Sequence, residues 1–286
     1  MRNLVEVSGL GKEYGLFSLR DVSFSIPGGS IMGFIGPNGA GKTTTIKSIL
    51  GMIQRDKGSI RLFGEDFDGS QIALKEKIGV VMDTPFYVED WTLQVVESAV
   101  APFYENWDSK RYRECLTRFS LDPRKKVKEL SRGMEIKLML AVALSHGAQL
   151  LILDEPTSGL DPVAREELMD ILRDFVCDDE HAILFSTHIT TDLQKIADYI
   201  TFLQKGRLVF TGEKDLLLES YCIVRGGASD LTPSLREKLL GLREHSVGFE
   251  GMLPTSGLRH LPQGAVTEPC TLDEIMVFMN KEVTAL

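Results

Sequence analysis

The first third of the chain alternates apolar and polar residues with the two-residue period that is typical of half-buried β-strands. The clearest case is Val22, Phe24 and Ile26, which alternate with serines. A Pro-Gly-Gly turn follows, and a short apolar strand then leads directly into a glycine-rich loop. The pattern predicts a helix at 43–50 and strands at 4–7, 22–26, 31–35, 59–63 and 78–82.

The middle of the chain, about residues 92–146, changes to helical periodicity. Apolar residues recur there every three or four positions, which places them on one face of a helix. The predicted faces are Leu93, Val96 and Val100; then Tyr112, Leu116 and Phe119; then 134–144.

Strand–helix alternation returns after this helical segment. Residues 150–153 and 183–186 are apolar strands, and Asp161-Pro162 between them is a favourable helix start. Alternating β–α–β units predict a parallel sheet that is covered by helices on both faces. The sequence therefore predicts an α/β domain with a helical insert.

A tail begins near Tyr221. We expect a strand at 222–224 and loops at 226–227 and 248–257, which are rich in glycine. Thr271 and Glu274 have the spacing of a capping box, so a final helix is predicted after them. Its apolar face would contain Leu272, Ile275, Met276 and Met279.

Composition and charge exclude several classes of protein. The 286 residues are 43% hydrophobic and 26% charged, which is ordinary globular composition. The net charge of −9 disfavours broad binding to nucleic acid. No apolar run approaches the roughly 18 residues of a membrane span, and the N-terminus lacks a signal peptide, so we expect neither a span nor export of the chain. The cysteines have no metal-binding spacing, which predicts reduced, structural thiols; they are Cys115, Cys177, Cys222 and Cys270.

The glycine-rich loop satisfies the pattern G-x-x-x-x-G-K-[ST], in which backbone amides surround nucleotide phosphates. The helix after it adds the positive end of its dipole. Lys42 can reach the β- and γ-phosphates, and the Thr43 hydroxyl can bind Mg²⁺. The predicted ATP-binding residues are Gly36, Pro37, Asn38, Gly39, Ala40, Gly41, Lys42, Thr43 and Thr44.

Three polar residues follow the later apolar strands. Asp154 and Glu155 end one strand, and His188 ends the next, so parallel strands would bring them to one sheet edge. Asp154 suits a magnesium site, and Glu155 suits a base for an attacking water. His188 could contact that water or a phosphate.

With these motifs in this order, the chain resembles the ATP-binding cassette (ABC) ATPases over residues 1 to about 218. The resemblance rests on the phosphate loop, Leu-Ser-Arg-Gly-Met at 130–134, the strand at 151–155, Ser-Gly-Leu-Asp at 158–161, and His188. It implies an α/β P-loop NTPase fold: an ABC cassette at 1–220 with an antiparallel β subdomain and an α-helical subdomain inserted at about 86–146. The remaining 221–286 would form a small α+β accessory domain.

The resemblance also implies partners and further site residues. Tyr14 would stack on adenine, and two cassettes would enclose two ATP molecules in a head-to-tail homodimer. Ser131 and Gly133 of one cassette would contact the γ-phosphate bound by the other, and Asp161 would link the two sites. A separate transmembrane permease subunit is implied, with the cassette on the cytoplasmic, inner face of the cell membrane and no nucleic-acid partner.

Two departures from the family pattern lie near these sites. The family signature is usually Leu-Ser-Gly-Gly-Gln; in this chain Arg132 stands in place of its first glycine and Met134 in place of its glutamine. The family also usually has a glutamine after the strand at 78–82, where this chain has Asp83. A carboxylate is a good ligand for a hard cation, so Asp83 is a third candidate for the magnesium site. Two interpretations of Arg132 stay open: it adds positive charge near the nucleotide, or it faces solvent.

The function also has alternatives. The first hypothesis is the ATPase subunit of a transporter, most in keeping with an exporter of a drug, peptide or lipid. The second is an ABC ATPase that acts on ribosomes or DNA, and the third is a regulatory cassette without hydrolysis, against which Glu155 and His188 argue. The segment 84–91 holds three aromatic residues and is either a permease-binding surface or local packing. The tail either braces or regulates the dimer, or it is a packed addition without chemistry.

Overall fold

The computed structural model describes residues 2–83, 85–262 and 264–282. Its contacts divide the chain into two compact units: Met1–His188 with Thr201–Thr211, and Ile189–Ile200 with Gly212–Leu286. The second unit thus takes in two segments that precede residue 221. The limits of the cassette, of the helical subdomain and of the accessory domain stay predictions.

The first unit is built on one large sheet with helices packed against it. Its strands are β1 Asn3–Tyr14, β2 Phe17–Pro27, β3 Ser30–Ile35, β4 Lys57–Leu62, β5 Glu65–Asp66, β6 Ile78–Val81, β7 Leu150–Asp154, β8 Ala182–Thr187, and most of β9 Tyr199–Gln204 and of β10 Arg207–Glu213. Its α-helices are α1 Lys42–Ile49, α2 Ile72–Lys75, α3 Leu93–Val100, α4 Ser109–Arg118, α5 Arg132–Ser145 and α6 Pro162–Phe175. Short 3-10 helices lie at Ala101–Phe103 and Val127–Glu129.

The sheet has the order β5-β4-β1-β2-β10-β9-β3-β8-β7-β6. Strands β4, β1 and β2 pair antiparallel, whereas β3, β8, β7 and β6 pair parallel. Every residue of β3, β7 and β8 is buried. This arrangement confirms the predicted α/β fold with an antiparallel β subdomain.

The insert between β6 and β7 is helical, as predicted. The predicted faces of α3 and α4 are buried, apart from Val100, and the hydroxyl of Tyr112 donates to the carbonyl of Leu93 at 2.9 Å. Helix α5 packs closely on β6: a Cβ atom added at Gly79 would lie 2.6 Å from the Cβ of Ala143. Only glycine permits this approach of helix and strand.

The second unit contains an antiparallel sheet of order β12-β13-β11-β14. Its helices are α7 Thr190–Ile196, α8 Lys214–Glu219, α9 Pro233–Lys238 and α10 Leu272–Glu282. Its strands are β11 Tyr221–Gly226, β12 Leu240–His245, β13 Gly248–Pro254 and β14 Val266–Pro269, with 3-10 helices at Ala228–Asp230 and Thr255–His260. One core cluster of this unit consists of Cys222, Val224, Leu235, Leu239, Phe249 and Leu253. The predicted α+β extension is confirmed.

Two predictions for the tail need correction. The segment predicted as a loop at 248–257 contains β13, and its glycines permit close approaches: a Cβ at Gly251 would lie 3.1 Å from Leu239 side-chain atoms. The capping box is confirmed, since the Thr271 amide donates to Glu274 at 2.9 Å and the Glu274 amide donates back to the Thr271 hydroxyl at 3.2 Å. On α10, however, Phe278 is fully buried and Met279 only half-buried.

The four cysteines are all free thiols. Within the described residues, none of the helices has the length and apolar character that crossing a membrane requires.

Candidate active site

The carboxyl ends of three adjacent parallel strands meet at one edge of the sheet. Ile35 at the end of β3 is in register with Thr187 of β8, and Asp154 of β7 with Ser186 of β8. The loops that leave these strands therefore start side by side. Gly36, Glu155 and His188 are the first residues after the three strands, so the predicted sheet edge is where the polar residues gather.

Glycine is required in the loop after β3. Gly36 and Gly41 have φ angles of 152° and 111°, a backbone region that other residues rarely adopt. A Cβ at Gly36 would lie 2.3 Å from the carbonyl oxygen of Leu203, and one at Gly41 would lie 2.8 Å from the Leu19 side chain. Helix α1 begins at the next residue, so the loop feeds straight into a helix N-terminus.

This loop borders a cavity of about 370 Å³, within the range of roughly 300–1,000 Å³ that is typical of small-molecule sites. The cavity brings the phosphate-loop residues together with Glu155. It is lined by Phe17, Pro37, Asn38, Gly39, Ala40, Gly41, Lys42, Thr43, Thr44 and Glu155.

Lys42 is buried in this loop, with 6% of its surface exposed. Its ammonium group donates to the Gly36 carbonyl at 2.7 Å and lies 3.6 Å from a carboxylate oxygen of Glu155. Burial lowers the pKa of Lys42, and the charges of Glu155 and Asp154 oppose that shift. A buried cation at the loop is suited to a polyanionic ligand.

Thr43 and Asp154 lie together although they are 111 positions apart. The Thr43 hydroxyl donates to Oδ2 of Asp154 at 3.0 Å. The other oxygen, Oδ1, is buried and has no hydrogen-bond partner among the described residues. A hydroxyl and a buried carboxylate with an unused oxygen are the donor set that a hard cation such as Mg²⁺ prefers.

Glu155 connects the cationic loop with His188. Its carboxylate lies beside Lys42 and accepts from the His188 backbone amide at 3.3 Å, while Nδ1 of His188 lies 2.8 Å from the same oxygen. Its own amide donates to the Ser186 carbonyl at 2.8 Å. The φ angle of Glu155 is 52°, a strained value for a residue with a side chain, which neighbouring contacts hold in place.

Asp83 contacts Arg132 and does not take part in the hydrogen bond between Thr43 and Asp154. It follows β6, its side chain is 75% exposed, and its Oδ1 lies 3.2 Å from Nη2 of Arg132. Its role as a metal ligand stays a prediction. Arg132 is also paired with Glu135 at 3.5 Å and is only 21% exposed, so it is not a solvent-facing side chain.

Phe17 is an aromatic residue that borders the cavity, and it was not among the predicted site residues. Tyr14, the predicted aromatic residue, lies opposite Phe17 in the β1–β2 hairpin and is 47% exposed. The Lys12 ammonium lies 5.8 Å from the centre of the Tyr14 ring. Among the described residues that line the cavity, Phe17 is present and Tyr14 is not.

The three residues predicted to act across a dimer lie at helix N-termini and do not line the cavity. Ser131 caps α5, with its hydroxyl accepting from the Met134 amide at 3.4 Å. Asp161 caps α6 and accepts from the amides of Val163 at 2.9 Å and Ala164 at 3.0 Å. Gly133 lies in the first turn of α5, where a Cβ would approach Ala164 at 3.3 Å.

Comparisons with known proteins agree with this geometry. Residues 19–158 match the family described as ABC transporter. The chain is 32% identical over 212 residues to the bacitracin transport ATP-binding protein BcrA of Bacillus licheniformis, covering 73% of this chain and 69% of BcrA. It is 35% identical over 225 residues to the Nod factor export ATP-binding protein I of Rhizobium leguminosarum bv. viciae, covering 75% and 71%.

A solved ATP-binding subunit of an ABC transporter superposes with a TM-score of 0.68 at 30% identity, over 75% of this chain and 91% of that one. The chain belongs to the ABC transporter family. As an ABC transporter ATP-binding protein, it binds ATP and is an ATPase whose hydrolysis is coupled to transport.

Proposed function

We propose that two copies of this chain close on two ATP molecules and drive a separate membrane permease that exports a substrate. The contact between Glu155, Lys42 and His188 at the edge of the phosphate loop carries the proposal. Lys42 and Glu155 line the same cavity, and His188 contacts the Glu155 carboxylate, so a phosphate-binding cation, a base and an imidazole would act together there. The transport direction is supported by the name of one relative, the Nod factor export ATP-binding protein I.

The phosphate loop would hold the nucleotide by its backbone. The amides of residues 38–44, at the N-terminus of α1 and in the loop before it, would donate to the phosphates. Lys42 would exchange its contacts with Gly36 and Glu155 for phosphate oxygens. Phe17 offers a ring face at the cavity for the base, and Tyr14 offers a second one at the same hairpin.

Thr43 and Asp154 would hold Mg²⁺, because the unused Oδ1 of Asp154 needs a partner. The ion would neutralise charge on the phosphates. Asp83 is a further candidate for this site, and its Oδ1 already contacts Arg132.

Glu155 would orient the attacking water and accept its proton. His188 would hold the Glu155 carboxylate in place through the 2.8 Å contact of Nδ1, leaving the other ring nitrogen for a phosphate oxygen. The backbone strain at Glu155 is in keeping with a residue fixed for chemistry, since such strain collects at active sites.

The dimer would complete each site. Ser131 and Gly133 at the N-terminus of α5 would contact the γ-phosphate bound by the other copy, because a helix N-terminus with a hydroxyl suits an anion. Asp161 would join the two sites. Hydrolysis would remove these contacts and let the copies separate.

The permease would dock beside the segment after Asp83, which would place the chain on the cytoplasmic face of the membrane. Thr84 lies outside the described residues. Phe86 is 79% exposed, whereas Tyr87 and Trp91 are half-buried, so the two interpretations of this segment apply to different residues. Phe86 is the candidate for partner binding, and Tyr87 and Trp91 pack locally.

Affinity capture from detergent-solubilised membranes tests this proposal. The chain should recover a multi-span membrane protein, and Phe86→Asp should reduce recovery while ATP hydrolysis is kept. Val247→Asp is a matched control, because Val247 is also exposed, at 87%, but lies in the second unit. Recovery of ribosomes or DNA instead would contradict the transport function.

A further inference from the structure

Two residues at which this chain differs in charge from the ABC pattern given above contact each other. Asp83 replaces a glutamine and Arg132 replaces a glycine. Oδ1 of Asp83 accepts from Nη2 of Arg132 at 3.2 Å, across 49 positions of sequence. A neutral residue at either position would leave the other charge without this partner.

The pair joins the sheet to the last helix of the insert. Asp83 lies just after β6, where the chain enters the insert, and Arg132 is the first residue of α5. Helix α5 already packs on β6 through Ala143 and Gly79. The ion pair is therefore a second contact between α5 and the β6 segment, at the opposite end of the helix.

Electrostatics explains why the two charges occur together. An arginine at the first position of a helix faces the positive end of the helix dipole, which is unfavourable. The carboxylates of Asp83 and Glu135, at 3.2 and 3.5 Å, offset that repulsion. They also reduce the positive potential at Ser131 and Gly133, where an anion of the other copy would bind.

We propose that the Asp83–Arg132 ion pair is a tether that holds the N-terminus of α5 and opposes ATP-driven dimerisation. Both residues are positioning residues, and the inference rests on the proposed dimer. Breaking the tether removes a carboxylate from the anion-binding end of α5 and frees the Arg132 guanidinium for phosphate. Because Asp83 is mostly exposed, its ion pair should change the monomer–dimer equilibrium constant by no more than about fivefold. ATP binding can overcome an effect of that size.

A four-chain comparison in a Glu155→Gln background tests the tether. The first chain carries no further change, the second carries Asp83→Asn, the third carries Arg132→Gln, and the fourth carries both substitutions. Light scattering gives the ATP concentration at half-maximal dimer, with Mg²⁺ present, at low and high salt. Asp83→Asn should lower that concentration about two- to fivefold at low salt, and the shift should shrink at high salt. In the chains with Arg132→Gln the shift should be smaller, because only the loss of the Asp83 charge near Ser131 and Gly133 remains; an equal shift with and without Arg132 would overturn the tether.

The alternative role of Asp83 predicts the opposite sign. If Asp83 served as a magnesium ligand, Asp83→Asn would raise the required ATP concentration equally with and without Arg132. That result, or unchanged midpoints in all four chains, would overturn the tether while leaving the dimer intact.

Hydrogen exchange on the nucleotide-free chains separates the tether from the proposed function. Asp83→Asn should speed exchange of the Gly133 and Met134 amides about two- to fivefold, only where Arg132 is present. If all four chains bind ATP and none dimerises, the proposed dimer is wrong. The exchange rate of the Gly133 and Met134 amides then decides by itself whether the ion pair holds the N-terminus of α5. Equal exchange in all four chains would overturn it.

Discussion

Glu155 accepts a hydrogen bond from the backbone amide of His188 at 3.3 Å and lies 2.8 Å from Nδ1 of the same residue, 33 positions away in sequence. Parallel pairing of β7 with β8 brings them together, since Asp154 is in register with Ser186. Glu155, the proposed base, and His188 therefore directly follow neighbouring strands of a buried sheet, which is a rigid support for chemistry.

Glu155→Gln should keep ATP binding and abolish most turnover. The amide retains the shape of the carboxylate but cannot accept the proton of water, so the hydrolysis rate should fall at least about 100-fold. ATP-bound dimers should accumulate. Steady-state phosphate release, read beside the dimer fraction, checks this, and an unchanged rate would refute the role of Glu155.

Lys42→Ala should weaken ATP binding at least about tenfold, because the buried ammonium is the cation nearest the phosphate loop. Titration calorimetry measures the affinity directly. Lys47→Ala is the control, since Lys47 belongs to the same helix but is exposed and does not line the cavity. Equal affinity of the Lys42 and Lys47 variants would contradict the phosphate-loop assignment.

Phe17→Ala should weaken ATP binding about three- to tenfold through the loss of an aromatic contact with the base. Inorganic tripolyphosphate, which lacks a base, should bind the variant as it binds the parent chain. Tyr14→Ala is the paired variant. A loss of ATP affinity confined to Tyr14→Ala would assign the base contact to Tyr14 instead.

His146 should make the stability of the chain depend on pH. Its ring is 4% exposed and stacks on Tyr104 with centres 4.0 Å apart, and burial lowers the pKa of His146 from 6.5 to about 4. The unfolded chain therefore takes up a proton at a higher pH than the folded chain. Stability should be complete above pH 6.5 and should fall by about 3 kcal/mol as the pH decreases from 6.5 to 4.

Urea unfolding at several pH values between 4 and 7 measures this loss. His146→Phe keeps a ring against Tyr104 and should flatten the profile, whereas His245→Gln, at an exposed residue, should not. A profile that is equally steep in the His146 variant would place the pH dependence elsewhere.

Much of the fold and the sheet edge could be predicted because the signals are local. An apolar run that is followed by Gly36–Thr43, or by Asp154 and Glu155, predicts a β-strand. It also predicts that these polar residues lie at the carboxyl end of that strand. Parallel pairing then brings separate strand ends together without further information.

The parts that could not be predicted depend on distant contacts. Whether Tyr14 or Phe17 borders the cavity is set by the geometry of the β1–β2 hairpin, which the composition of the hairpin does not reveal. The pairing of Asp83 with Arg132 needs the packing of α5 along β6. Gly251 suggested a loop, yet it lies in strand β13. Glycine is found there because the Leu239 side chain occupies the space that a side chain at 251 would need.

Because α5 packs closely on Gly79 near its C-terminal end, a small rotation about that contact produces a larger displacement at the N-terminus of the helix. Ala143 is held against β6 near one end of the helix, and Ser131 lies twelve residues away, at the other end, roughly 18 Å along the axis. A rotation of about 10° at Gly79 would therefore carry Ser131 through about 3 Å, which is the length of a hydrogen bond. An angular change too small to disturb the sheet is enough to make or break a phosphate contact at the far end of the helix.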